Sequence, residues 1–256
     1  MKMFSMLIAT VMVIAGFSSC KKENTSDPVT PVAPNERLLL AYKGNYNDYV
    51  FSYNPDKTIK SFGKANGSYK VEFAYQPNKV IVDYVSNNLK VTEVIHELVK
   101  GVTQKSTYTI YDANGPTGDV NTFQYTYNAK GQLTKMDFFQ NGIYAGSISR
   151  AYDGNGDMIS SESRDANNVI TSSNIFEYDL SLQDKAGSWG QFDGNGTGTI
   201  FPKLAKHLLK KQTNTSNNIV TVYDYTYTID AMGYVSKGLI KDQNMAIIDD
   251  WTNTWQ

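Results

Sequence analysis

Residues able to bind ions or move protons are scattered along this 256-residue chain, and one stretch gathers them. Asp153-Gly154-Asn155-Gly156-Asp157 sets oxygen-bearing side chains at alternate positions, as loops that wrap a hard cation do. Asp153, Asn155 and Asp157 are therefore a calcium candidate. However, Met158 stands where such a loop needs glycine, and Arg164 stands where it needs a carboxylate. The competing reading is a hairpin turn, in which Asp, Asn and Gly supply the left-handed backbone. Carboxylate pairs could serve a glycosidase, one as acid and the other as base or nucleophile. Glu72, Glu93, Glu97, Asp137, Glu162, Glu177 and Asp249 are available, but spacing singles out no pair among them. His96 and His207 belong to no HExxH motif, and the chain has neither a GxSxG nor a P-loop. With two histidines and one cysteine no zinc set forms, so no catalytic residue and no cofactor is assigned. What remains is aromatic. Tyr125, Tyr127, Tyr223 and Tyr225 alternate with polar residues and could stack on sugar rings; packing of one strand face is the other reading.

The elements that hold these residues repeat. In Phe123–Lys135 the side chains of Phe123, Tyr125 and Tyr127 alternate with Gln124 and Thr126, the period of a half-buried strand. Asn128-Ala129-Lys130-Gly131 then turns the chain, and Leu133 opens the return strand. Similar turns recur at near-regular intervals, including Asn66-Gly67, Asn87-Asn88, Lys100-Gly101 and Asn141-Gly142. Such spacing predicts an all-β chain: a long antiparallel up-and-down meander of about a dozen strands. Twist curls a sheet of that length into an open or closed barrel-like form. Val91–Lys100 also fits a helical face, but its β-branched residues and its place between two turns favour a strand. The pattern breaks at about 181–211. There, five glycines from Gly187 to Gly198 predict an irregular loop, and Pro202 to Lys211 predicts a short helix. Trp251 and Trp255 fit a closing strand.

Composition narrows the function classes. Formal net charge is −1, and no basic run suits nucleic acid. The first residues read as an export signal. Met6–Gly16 is apolar but too short to span a bilayer, and small residues lead to Cys20, the only cysteine. This order resembles a bacterial lipobox. The resemblance implies a lipoprotein signal peptide over 1–19, cleavage, and lipid attachment at Cys20. Residues 20–35, rich in Pro, Thr and Ser, predict a disordered tether, and 36–256 a single domain. The anchor implies a membrane partner and an outer-membrane lipoprotein on the periplasmic or cell-surface face; Lys21 does not resemble the Asp of inner-membrane retention.

The units from Tyr127 to Leu133, Tyr152 to Met158 and Tyr227 to Val235 resemble YD-type (Rhs-like) repeats, with a tyrosine, a polar turn, a glycine and an aliphatic residue. Together with the lipobox, the chain resembles a Gram-negative lipoprotein family carrying a domain of unknown function with a porin-like, curled β-meander. That resemblance implies architecture and brings no catalytic residues. Tyr227 departs from the unit by two extra residues before Gly233, while Lys57 and Lys79 stand where the glycine is expected after Tyr53 and Tyr75. The reading that follows is a non-catalytic binding or structural module, with a glycan or envelope protein as ligand. The alternatives are a polysaccharide-acting hydrolase and a small barrel inserted in the outer membrane.

Overall fold

The computed structural model describes residues 37–45, 48–185, 201 and 204–256. The predicted signal peptide, Cys20, the tether and the glycine-rich loop from Gly187 to Gly198 lie outside the described residues.

The fold is built from sixteen strands: β1 Leu39–Lys43, β2 Asp48–Tyr53, β3 Ile59–Lys64, β4 Tyr69–Gln76, β5 Lys79–Ser86, β6 Leu89–Val99, β7 Val102–Asp112, β8 Gly115–Tyr127, β9 Leu133–Gln140, β10 Ile143–Tyr152, β11 Met158–Asp165, β12 Ile170–Gln183, β13 His207–Ser216, β14 Ile219–Ile229, β15 Val235–Asp242 and β16 Ile247–Trp255. Each pairs antiparallel with its sequence neighbours, and β1 pairs with β16, so the meander closes into a barrel. The strand count exceeds the dozen expected, and the curled sheet is closed. Val91–Lys100 falls in β6, where Val94, His96 and Leu98 are buried on one face.

The helix expected over Pro202 to Lys211 is corrected. No helix occurs among the described residues, and His207–Ser216 is β13, paired with β12 and β14. Leu204 with Leu208 and Ala205 with Leu209 mimic a helical face. But β13 pairs with β12 from His207 to Ser216 and with β14 from Lys211 to Ser216, and a helix of under three turns cannot match those ladders.

The turns explain the repeat. At Asn87-Asn88, Lys100-Gly101, Asn141-Gly142 and Asn217-Asn218 both central residues have positive φ, the two-residue hairpin that matches strand twist. A second loop recurs from Asn54, Asn128, Asp153, Asp165, Asp230 and Asp242. In each, the backbone N–H of the first residue donates to the carbonyl of the fifth, and the N–H of the fourth donates back to the first. The fourth residue is left-handed: Lys57 (φ 68°), Gly131, Gly156, Asn168, Gly233 and Met245. In the five loops from Asn128 onward the Asp or Asn side chain also accepts backbone N–H groups ahead of it, as Asn128 Oδ1 does from Lys130 and Gln132; at the first loop Asp56 accepts the Thr58 N–H instead. Lys57 thus fills the glycine position of its unit. The Tyr227 unit keeps the same turn, but β14 runs two residues past its tyrosine, so that Asp230 is the first residue of the turn.

Closure is locked at one end. Leu38 and Gln256 exchange backbone hydrogen bonds beyond the β1–β16 ladder. Arg37 lies over the Tyr234 ring, donates from Nη1 to Asp230 Oδ2 at 2.6 Å and from Nη2 to the Trp255 carbonyl at 3.0 Å. Trp251 covers Gly238 of the neighbouring strand so closely that a Cβ there would meet its ring.

Candidate functional site

In a closed barrel one face of each strand looks into the interior and the other looks out. Burial tells them apart. In β4 the side chains of Val71 and Phe73 are buried, whereas those of Lys70, Glu72 and Gln76 are exposed. The inward face over β2–β6 is apolar, with Phe62, Val71, Phe73, Val80, Val82 and Val94 packed together. Opposite walls stay apart: no strand backbone approaches within 8 Å of any but its ladder neighbours.

Inward tyrosines carry the polar side of that wall. Tyr53, Tyr127, Tyr152, Tyr178 and Tyr227 lie on even-numbered strands, the first three at the strand end, and donate the hydroxyl to a carbonyl of the preceding strand, at Leu39, Thr103, Leu133, Met158 and Leu209. Burial pushes the Tyr152 hydroxyl up to about 12, against the opposing pull of Arg150. Tyr125 and Tyr225 sit deeper. Tyr125 donates to Ser106 Oγ at 2.9 Å, and Ser106 Oγ also meets His96 Nδ1 at 2.7 Å. Tyr225 donates to Gln212 Oε1 at 2.9 Å. Gln212 and Asn214 in turn donate to Asn174 Oδ1, and Asn174 donates to Ser161 Oγ. A neutral, hydrogen-bonded arc therefore lines β11–β14. Tyr223 is half-buried against the cluster of Tyr225, Ile240 and Trp251. The four tyrosines singled out from sequence are thus wall components of the interior, and none is an exposed stacking platform on the outer face.

The calcium candidate resolves into two different jobs. Asp153 Oδ1 accepts from the Gly156 and Asp157 N–H groups, and Asn155 Nδ2 donates to Asp153 Oδ2. Burial would raise the Asp153 pKa, but these backbone donors outweigh it and hold the carboxyl below its usual range. Asp157, fully buried, accepts from the Lys206 and His207 N–H groups at 2.6 and 3.1 Å and meets His207 Nδ1 at 2.7 Å. Their oxygens are taken by N–H donors rather than aimed at one point. Among the described residues no cluster of three or more metal-ligating side chains occurs. Asp157 instead docks the end of the insertion onto the β10–β11 turn, and Phe201 enters the interior edge-on to His96 and Tyr125.

The carboxylates considered for hydrolysis lie mostly outside. Glu72, Glu97, Asp137, Glu162 and Glu177 pair with Lys70, Lys105, Lys135, Arg164 and Lys211. Glu72, Asp83 and Glu93 stand opposite one another across β4, β5 and β6. That row is on the convex wall, and Lys90 bridges Asp83 and Glu93 at 2.7 and 2.6 Å. Asp249 is occupied by Tyr42 and the Asn45 N–H. At one rim, an open cavity of about 440 Å³ is lined by Tyr49, Lys64, Ser68, Tyr69, Ser86 and Asn87, with a cation and no acid. The residues that sequence reading passed over are Arg37, which ties the barrel seam, and the buried Arg150; neither carries a local motif.

No protein-family model matches the chain, and no curated protein does. Solved structures do. A porin-like protein from Bacteroides uniformis ATCC 8492 superposes with a TM-score of 0.58 at 13% identity, covering 90% of this chain and 99% of that one. A porin-like protein from Bacteroides vulgatus ATCC 8482 gives 0.61 at 10% identity, over 84% and 97%. In fold, the chain is similar to porin-like barrels. At this identity the likeness extends to architecture alone. No helix among the described residues is long and apolar enough to cross a membrane, which says nothing about crossing with strands.

Proposed function

We propose that the chain is a lipid-anchored protein of the outer envelope whose barrel stands in water as a non-catalytic binding or structural module. The observation that carries this reading is the distribution of charge. The outer wall bears Lys70–Glu72, Lys105–Glu97, Lys135–Asp137, Arg164–Glu162 and Lys237–Asp250 on strands spread from β4 to β16. A barrel in lipid needs the reverse, an apolar band outside and a polar lumen, and a Lys or Arg facing lipid costs about 2–4 kcal/mol at the bilayer midplane. The ligand is a glycan or an envelope protein, taken through the tyrosine-lined interior or its rim.

The inserted barrel shares the closed fold and is the rival reading. Exposed aliphatic residues do exist: Leu89, Ile143, Val169, Ile219 and Met245 lie beside the turns of one rim, Val99 and Met232 beside those of the other, and Val50, Ile175 and Leu180 within β2 and β12, so they are scattered over the surface. Against the hydrolase reading, Glu72, Glu93, Glu97, Asp137, Glu162 and Glu177 are each engaged by a lysine or arginine. Labelled palmitate tests the anchor: incorporation is expected in the wild type and absent in Cys20→Ala. A glycan array tests the binding role, with retention of a defined glycan set expected. Turnover of any retained polysaccharide would contradict it.

A further inference from the structure

Arg150 is an inward residue of β10 and, among the described residues, the one arginine whose side chain pairs with no acid. It is 8% exposed, and Nη1 is buried without a hydrogen-bond partner. The other two arginines each hold an acid, Arg37 with Asp230 at 2.6 Å and Arg164 with Glu162 at 2.5 Å. Arg150 forms no ion pair or hydrogen bond with any described residue. The ionisable groups that act on it are Tyr152, Tyr125 and Tyr127, all neutral in this setting. Their hydroxyls are already donated to Leu133, Ser106 and Thr103.

A guanidinium does not shed its proton in a protein, so this charge stays. An ion taken out of water without a partner costs several kcal/mol even after relaxation. Nothing in the wall repays that. What the wall offers beside Arg150 is polar and neutral. Ser161 stands directly opposite on β11, and Asn174 reaches Ser161 from β12. Ser163, 5% exposed, lies two residues further along β11. A charged five-donor fork flanked by hydroxyl and amide groups, with no acid, is the donor set for a planar or tetrahedral oxyanion.

We infer that Arg150 anchors an oxyanion site inside the barrel, which takes the carboxylate, sulfate or phosphate group of a small polar molecule, with Ser161 and Asn174 beside it. This rests on the reading of the barrel as a binding module and specifies its ligand class. The bound anion supplies the counter-charge that the chain omits.

Thermal unfolding of the full-length protein tests it. Sodium sulfate and sodium glucuronate are titrated against sodium chloride at matched ionic strength, with glucose as the neutral control. The wild type is expected to gain stability saturably with sulfate or glucuronate, and not with chloride or glucose. A response to sulfate alone points to an inorganic oxyanion; a response to glucuronate points to an acidic sugar. Arg150→Met should lose at least tenfold in apparent affinity yet unfold no lower than the wild type without anion, because an unpaired buried charge is gone. Arg150→Lys keeps the charge without the fork and should bind at intermediate strength. Equal responses to all salts, or to all three proteins, would overturn the site. So would an Arg150→Met that unfolds well below the wild type and shows no anion dependence difference, which would make Arg150 a packing residue. Either failure leaves palmitate labelling and neutral-glycan binding as they stand, so the broader reading is judged separately.

Discussion

Asp157 does the most work of any single acid in the described chain. It has no solvent access, and its two oxygens hold two backbone N–H groups and the His207 ring. Replacing it with alanine strands those donors in a buried place. The expected loss is about 2–4 kcal/mol, since unsatisfied buried groups cost about 1–3 kcal/mol each and are only partly rescued by water. A urea unfolding midpoint reads it directly, and a loss below 1 kcal/mol would contradict the assigned role. His96 makes a different kind of prediction. It is fully buried with only Ser106 as a polar partner, and burial pulls its pKa down to about 3. The unfolded chain has an ordinary histidine near 6.5. Between those values the unfolded state binds the proton and the folded state does not, so stability falls as pH drops. The loss should begin below about pH 6.5, above the carboxylate range, and continue towards pH 3. The difference in stability between wild type and His96→Gln, followed against pH, isolates it; a pH-independent difference would refute it.

Strands and turns were the legible part of the sequence, because both signals are local. Alternation in Phe123–Tyr127 marks a strand face without reference to anything distant, and a left-handed turn position asks for Gly or Asn wherever it occurs. Lys57 shows the strength of the rule by breaking it. Its φ of 68° costs a lysine about 1 kcal/mol or more that glycine does not spend. Lys57→Gly is therefore expected to stabilise the protein by about 0.5–1 kcal/mol in chemical denaturation, net of the greater freedom of glycine in the unfolded chain. A destabilisation would mean that the Lys57 side chain is held by contacts worth more than the strain. Where the sequence misled, distance was the cause. Leucines four apart read as a helix in Pro202 to Lys211, but the partners that make β13 a strand are dozens of residues away in β12 and next in β14. Arg37 closes the seam with Asp230, 193 positions later, and no local pattern marks it. Arg150 was unremarkable until closure of the barrel turned its side chain inward.

At the scale of the whole molecule, the aromatic and apolar core clusters are turned in and the surface ion pairs are turned out, with Arg150 and Asp157 as buried charged residues. The individual surface ion pairs contribute little to stability, about 0–1 kcal/mol each, so their value is positional. They mark the surface that water must reach. A closed ladder removes the exposed strand edges that make open sheets associate, and under the proposed function the charged exterior would keep the barrel dispersed. Exposed aliphatic residues are the exception, scattered over both rims and on strands at Val50, Ile175 and Leu180. The central claim is that this barrel folds and persists in water, with membrane association supplied by the lipid alone. The most direct measurement is sedimentation and circular dichroism of a variant lacking residues 1–20, expressed and purified without detergent. The account predicts a dispersed, β-rich protein with a cooperative thermal transition. A variant that aggregates without detergent, and regains a cooperative β-rich fold only when detergent or lipid is added, would contradict it.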